Sequence, residues 1–149
     1  MALEDKARRL VGDLQRVMEE AQAADKKNPS GDGKLSAQEV RVLRAVGRKD
    51  CCIMSGIADA ICLSLSSVTG LIDRLVEKKL VRRDRSNEDR RIVQVELTDE
   101  GREARDAAME GPVAFARGLL KGLNAEEQDA MLALFRKVAE RIELEKHPA

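Results

Sequence analysis

The sequence predicts a mainly α-helical protein with one small β-hairpin, an α+β chain in which long helices flank a compact centre. Three observations carry this reading. Apolar residues recur at steps of three and four near both ends, two short helical patterns lie about three residues apart in the middle, and the period turns strand-like after Leu80. At 149 residues and 43% hydrophobic, the chain is one domain, or one domain with an extra arm, with enough apolar matter to bury a core.

The first element is a long helix over residues 2–26, because Leu3, Ala7, Leu10, Val11, Leu14, Val17, Met18 and Ala21 fall on one face. Turn formers at 28–33 (Asn-Pro-Ser-Gly-Asp-Gly) end it. Ser36 followed by Glu39 has the capping-box form, so a second helix opens there and runs to Val46 with Val40, Leu43 and Val46 as its stripe. A very short strand is expected at 52–54, then a helix capped by Ser55 carrying Ile57, Ala58 and Ile61. Cys62 and Leu63 make the turn, and Ser64 caps a helix extending to Lys79 with Val68, Leu71, Ile72 and Leu75 inward. Two helices so joined form a helix-turn-helix. Val81 and the run 92–97 are strand-like, and the polar stretch 84–89 between them is the tip of a hairpin. A helix over 99–123, bent near Gly111 and Pro112, and a last helix capped by Asn124 with Met131, Leu132, Leu134, Phe135, Val138 and Ile142 on one stripe complete the chain.

Composition excludes several functions. With no Trp, no Tyr, two Phe and one histidine, His147, aromatic base-stacking platforms and histidine-based zinc sites are ruled out. No nucleophile has a base in a recognisable motif, so neither an enzyme nor a metal or other cofactor is expected. Residues 1–14 hold no signal-peptide core and the longest uncharged stretch, 60–72, is too short to span a bilayer, which predicts a cytoplasmic chain without a membrane partner. The three cysteines have no CxxC spacing and are read as reduced thiols. Lys plus Arg and Asp plus Glu each total 27, and a formal net charge of zero argues, taken whole, against nucleic acid. Divided along the chain it does not. Residues 78–91 hold seven basic and three acidic side chains, while 92–149 hold eight basic and twelve acidic.

The residues at the hairpin are specific. Leu80-Val81-Arg82-Arg83, Asp89-Arg90-Arg91 and Val95-Glu96-Leu97-Thr98-Asp99-Glu100-Gly101 resemble the wing signature of the MarR (multiple antibiotic resistance regulator) family of winged helix-turn-helix repressors. Ile57-Ala58, Leu63-Ser64-Leu65-Ser66-Ser67-Val68-Thr69 and Leu71-Ile72-Asp73-Arg74-Leu75 are similar to that family's helix-turn-helix. The resemblance implies a winged helix-turn-helix with N- and C-terminal dimerisation helices. The N-terminal helix and loop would occupy 1–34, the DNA-binding domain 35–101 and the C-terminal dimerisation helices 102–149. Cys62 and Lys79 depart from it, each standing where the family has Gly.

A recognition helix enters the major groove by its N-terminal turns, so residues exposed there must be short and polar. Ser66, Ser67, Thr69 and Gly70 fit, and Arg74 one turn on can reach a base edge or a phosphate, unless the serines only cap and Arg74 only pairs with Asp73 or Glu77. The resemblance places Arg91 in the minor groove with Asp89 orienting it, and Arg85 and Arg90 are candidate phosphate contacts. It further implies a homodimer on double-stranded DNA with a palindromic operator, and the apolar stripes that the small DNA-binding unit cannot cover, Leu3, Leu10, Val11 and Leu14 with Val113, Leu119, Leu120, Leu132, Phe135, Val138 and Ile142, would form the two-fold interface. A small lipophilic or phenolic effector would release it. Cys51, Cys52 and Cys62 are candidate redox residues for the alternative of a thiol-sensing regulator. The alternative from another class is a winged-helix protein-interaction module that does not touch DNA.

Overall fold

The structure, a computed structural model, describes residues 1–27, 34–48 and 52–146. The loop expected at 28–33, Cys51 and His147 lie outside them. The order is α1 (Leu3–Lys27), α2 (Ala37–Val46), β1 (Cys52–Ile53), α3 (Met54–Ile61), α4 (Leu65–Glu77), β2 (Val81–Arg85), β3 (Val93–Leu97), α5 (Asp99–Lys121) and α6 (Ala125–Lys146). The chain divides into two compact units, Met1–Pro112 and Val113–Ala149.

In the first unit, α2, α3 and α4 pack around a core that contains Val42, Leu43, Val46, Ile57, Val68, Leu71, Ile72 and Leu75, with Val81, Val95 and Leu97 closing it from the sheet. Burying each of the larger side chains contributes about 1.5–3 kcal/mol. The sheet is more than a hairpin. β1 joins the outer edge of β3, giving the order β1-β3-β2, all antiparallel, with Val81 opposite Leu97 and Arg85 opposite Val93. Because side chains alternate across the pleat, that register puts Val81, Val95 and Leu97 on the core-facing side, and beyond Val81 the whole of β2 runs past the core edge and is exposed.

Local chemistry sets the helix ends. Ser36 accepts from the Glu39 amide and Glu39 accepts from the Ser36 amide, the reciprocal cap expected at α2. Ser64 likewise caps α4 through the Ser67 amide. Ser55 does not cap α3; the cap position falls two residues earlier, at Ile53, with no side-chain cap bond, because β1 delivers an extended backbone directly into the helix. α4 ends at Glu77 rather than Lys79, and α5 at Lys121 rather than residue 123. α5 remains one helix through Pro112.

Cys62 (φ 56°) and Lys79 (φ 61°) are the non-glycine residues with positive φ among those described. Each follows a helix in the same way. Leu63 donates to the Ala58 carbonyl and Cys62 to that of Asp59, while Leu80 donates to Leu75 and Lys79 to Val76. These are Schellman turns, whose left-handed residue is normally glycine. The two departures noted in the sequence therefore fall on the two positions where the backbone asks for glycine, and the turn forms regardless. Gly101 answers a different demand. A Cβ there would lie 1.8 Å from the Leu80 carbonyl oxygen, where β2 begins and α5 crosses it.

The second unit holds the end of α5 and α6. Asn124 and Glu127 exchange amide bonds at 2.9 and 3.0 Å to cap α6, and the Gln128 side-chain amide donates to the Leu120 and Leu123 carbonyls. The apolar stripes of α1 and α6 are open in the single chain: Leu3, Leu10 and Val11, and Leu132, Phe135, Val138 and Ile142, are all exposed. Among the described residues no single helix is long and apolar enough to cross a membrane.

Replacing Cys62 or Lys79 by Gly should raise the unfolding free energy by about 0.5–1 kcal/mol each, the left-handed penalty less the added freedom of the unfolded chain. Gly101→Ala should lower it by about 3 kcal/mol. Urea unfolding of the three variants against the parent measures both.

Candidate nucleic-acid interface

α4 buries Val68, Leu71, Ile72 and Leu75 and turns its other face outward, which leaves Ser66 and Ser67 exposed at its first turn. The serines are ordered by the cap. The Ser64 hydroxyl donates to Ser67 Oγ at 2.8 Å and lies 3.2 Å from Ser66 Oγ. Thr69, half-buried, donates back to the Leu65 carbonyl at 2.8 Å. At Gly70 an added Cβ would meet nothing within 4 Å, so packing does not demand glycine there.

Arg74 pairs with neither Asp73 nor Glu77. Its Nε donates to Glu39 Oε1 at 3.2 Å, and Lys78 Nζ donates to Glu39 Oε2 at 2.8 Å. Glu39 is 2% exposed, so its carboxylate is almost wholly inside, yet it is the point where α2 holds α4. Burial alone would raise its pKa, but the Lys78 ammonium, the Ser36 amide and the Arg74 guanidinium outweigh burial and hold it below the ordinary 4.5. Asp73 takes a different partner, Arg83 Nη1 at 2.6 Å, which joins α4 to β2. Across the sheet Arg82 meets Glu96 at 2.9 Å, which raises the pKa of Arg82 and lowers that of Glu96.

The wing tip is built around Ser86, buried at the end of β2. Its amide donates to the Ile92 carbonyl, and its hydroxyl accepts from the Glu88 and Asp89 amides. This turn places Asp89 so that it accepts three bonds from Arg91: the amide at 3.0 Å, Nε at 3.1 Å and Nη2 at 3.2 Å. The arginine's bonds lower the Asp89 pKa. The Arg91 side chain is nonetheless 92% exposed, a guanidinium fixed on one edge and open on the other. Arg85 folds back, Nη1 donating to the Arg90 carbonyl at 2.7 Å, and Arg90 itself is exposed. Leu65 at the start of α4 and Arg91 to Val93 of the wing line one concavity with Ile53, Met54 and Ser55, so helix and wing present a common face.

The remaining candidates lie apart. Cys62 is exposed at its left-handed turn, and Cys52 is half-buried with its thiol facing the Ala45 and Val46 carbonyls at 3.9 and 3.7 Å. Sequence reasoning did not find the Glu39 hub or the Arg83–Asp73 pair. A capping glutamate is usually a surface residue, and nothing in the spacing shows that α4 will close over it.

A helix pair with a short turn, an exposed polar second helix and a basic hairpin carried on the same core define a winged helix-turn-helix. The MarR family profile matches residues 35–93. YwhA, an uncharacterised helix-turn-helix transcriptional regulator of Bacillus subtilis, is 31% identical over 99 residues, 66% of this chain and 71% of YwhA. The structure also superposes on BpsR of Bordetella bronchiseptica, whose DNA binding is regulated by 6-hydroxynicotinic acid, at 27% identity and TM-score 0.63, covering 88% of this chain and 98% of BpsR. FabT of Streptococcus pneumoniae, solved in complex with DNA, shares the fold at 22% identity and TM-score 0.71, over 92% of this chain and 97% of FabT. The chain belongs to the MarR family. It is a DNA-binding transcription regulator and not an enzyme.

Because the folded pKa of Glu39 is depressed, the stability it supplies is present above the ordinary carboxylate value of 4.5 and is lost as pH falls through the lower folded value. Glu39→Gln should cost about 1–2 kcal/mol at pH 7. The gap from the parent should close as the solution is acidified below that range, which chemical denaturation at a series of pH values would measure.

Proposed function

We propose that the protein is a cytoplasmic repressor that binds a palindromic operator as a homodimer, with α4 in the major groove and the wing in the minor groove, and that a small lipophilic or phenolic ligand releases it. The observation that carries this is the Arg91 fork: a guanidinium held on Asp89 along one edge and open to solvent along the other, beside Leu65 at the start of α4. Pre-ordering a long side chain lowers the entropy lost when it enters a narrow, electronegative groove. In this reading Ser66, Ser67 and Thr69 meet base edges or phosphates, and Gly70 leaves room for the duplex to approach. Arg74 reaches a phosphate with the edge not held by Glu39, and Arg85 and Arg90 meet the backbone beside the wing. An interaction module would have no use for such a fork.

The open apolar stripes of α1 and α6 support the dimer, since faces of this size are normally covered. A single unit reads too few base pairs for specificity, and a two-fold arrangement doubles the site. The control of BpsR by 6-hydroxynicotinic acid, a hydroxylated aromatic molecule, supports a small phenol-like effector.

Selection of bound duplexes from a random pool should enrich a two-fold site. On that site Arg91→Ala should weaken binding about 10-fold or more. Arg90→Ala should flatten the dependence of log affinity on log salt by about two, one phosphate contact from each copy. Unchanged affinity in Arg91→Ala would overturn the wing assignment. Gly70→Ala should raise stability by about 1 kcal/mol through better helix propensity while weakening operator binding. A variant both more stable and equally tight would remove Gly70 from the interface.

A further inference from the structure

Pro112 lies inside α5 and has no amide hydrogen, so the carbonyl four residues earlier, that of Ala108, receives no helical hydrogen bond from it. Ala108 is 2% exposed, too deep for water to serve that oxygen easily. The structure supplies a donor from another helix. Arg44 of α2 reaches across and places Nη2 2.6 Å from the Ala108 carbonyl. An arginine runs the other way as well. Arg105 of α5 donates from Nη1 to the Gly47 carbonyl at the end of α2, 3.0 Å away, while its other guanidinium nitrogens rest on Asp106. A Cβ at Gly47 would lie 2.6 Å from Arg105 Cδ, so the glycine makes the room through which that arginine passes.

We propose that Arg44 and Arg105 form a reciprocal latch that seats the first half of α5 on the end of α2, and that Arg44 is thereby a positioning residue for DNA binding. The donor that proline withholds from its own helix is replaced by one from the DNA-binding core. The connection between that core and the helix leading to the C-terminal unit is therefore made at a defined carbonyl. On the dimeric reading proposed above, from which this follows, the latch sets the separation of the two recognition helices. It does not touch the duplex.

The experiment combines a thermal double-mutant cycle with a test of operator geometry, using the full-length protein. Arg44→Met should lower the thermal midpoint by about 5 °C when residue 112 is proline. In a Pro112→Ala background the loss should be less than half as large, because the alanine amide then serves the Ala108 carbonyl. Equal losses in both backgrounds would overturn the latch. On the selected operator, the parent should discriminate against half-site spacings altered by one base pair. Arg44→Met should lose most of that discrimination while binding a duplex with one half-site as the parent does. Spacing preference that survives Arg44→Met would overturn the positioning role, even with thermal coupling present. If Arg44→Met fails to fold, Arg44→Lys, which keeps a single donor, takes its place with the same expectations at smaller size. Gly47→Ala should reproduce the loss of spacing preference from the Arg105 side. Should the selection enrich no duplex, the DNA-binding reading itself fails, and the thermal cycle separates that failure from failure of the latch.

Discussion

The carboxylate of Glu39 is the interaction on which the DNA-facing half of the molecule depends. It closes the cap of α2, and its two oxygens take Arg74 from the far half of α4 and Lys78 from just past its end. A buried charge is costly unless its lone pairs are filled, and here an amide, a guanidinium and an ammonium fill them. The consequence is geometric. The apolar core packs the helices together without directional bonds, and one acid with three directed partners adds a polar anchor between α2 and the recognition helix. Arg74 is thereby held on one edge, and the exposed surface of α4 is left to its first turn.

The wing is ordered by the same economy of polar groups. Ser86 is buried so that its hydroxyl can receive two amides of the tip, and the tight turn this makes brings Asp89 under Arg91. Arg83 meanwhile ties β2 to Asp73 of α4. Wing and helix are therefore joined both by their shared core and by an ion pair, and an exposed arginine at the tip inherits a fixed position relative to the serines of α4. The neutral total charge of the chain is compatible with this, because the basic side chains gather at residues 78–91 and the compensating acids lie further along.

Much of this was legible beforehand. Capping signals located α2, α4 and α6 because a cap depends on residues three positions apart, and the hairpin followed from a change of period that requires no partner. The departures at Cys62 and Lys79 point to the two left-handed turns because the family resemblance expects glycine at both positions. The start of α3 was misplaced at Ser55, since an extended strand, and not a side chain, delivers the backbone into that helix. The addition of β1 to the hairpin was likewise a pairing between segments some forty residues apart.

What the sequence determined by itself, then, is what neighbours along the chain decide: helical faces, caps, the hairpin and the basic segment, with the Asp89–Arg91 pair added by the family resemblance. What only the tertiary structure decided is which side chain meets which across helices: Arg74 with Glu39, Arg83 with Asp73, Arg44 with the carbonyl that Pro112 leaves without a donor. Local spacing carries the first kind of information because backbone geometry repeats. The second kind arises only when the buried core fixes how the elements pack, and no residue's identity announces a partner many positions away.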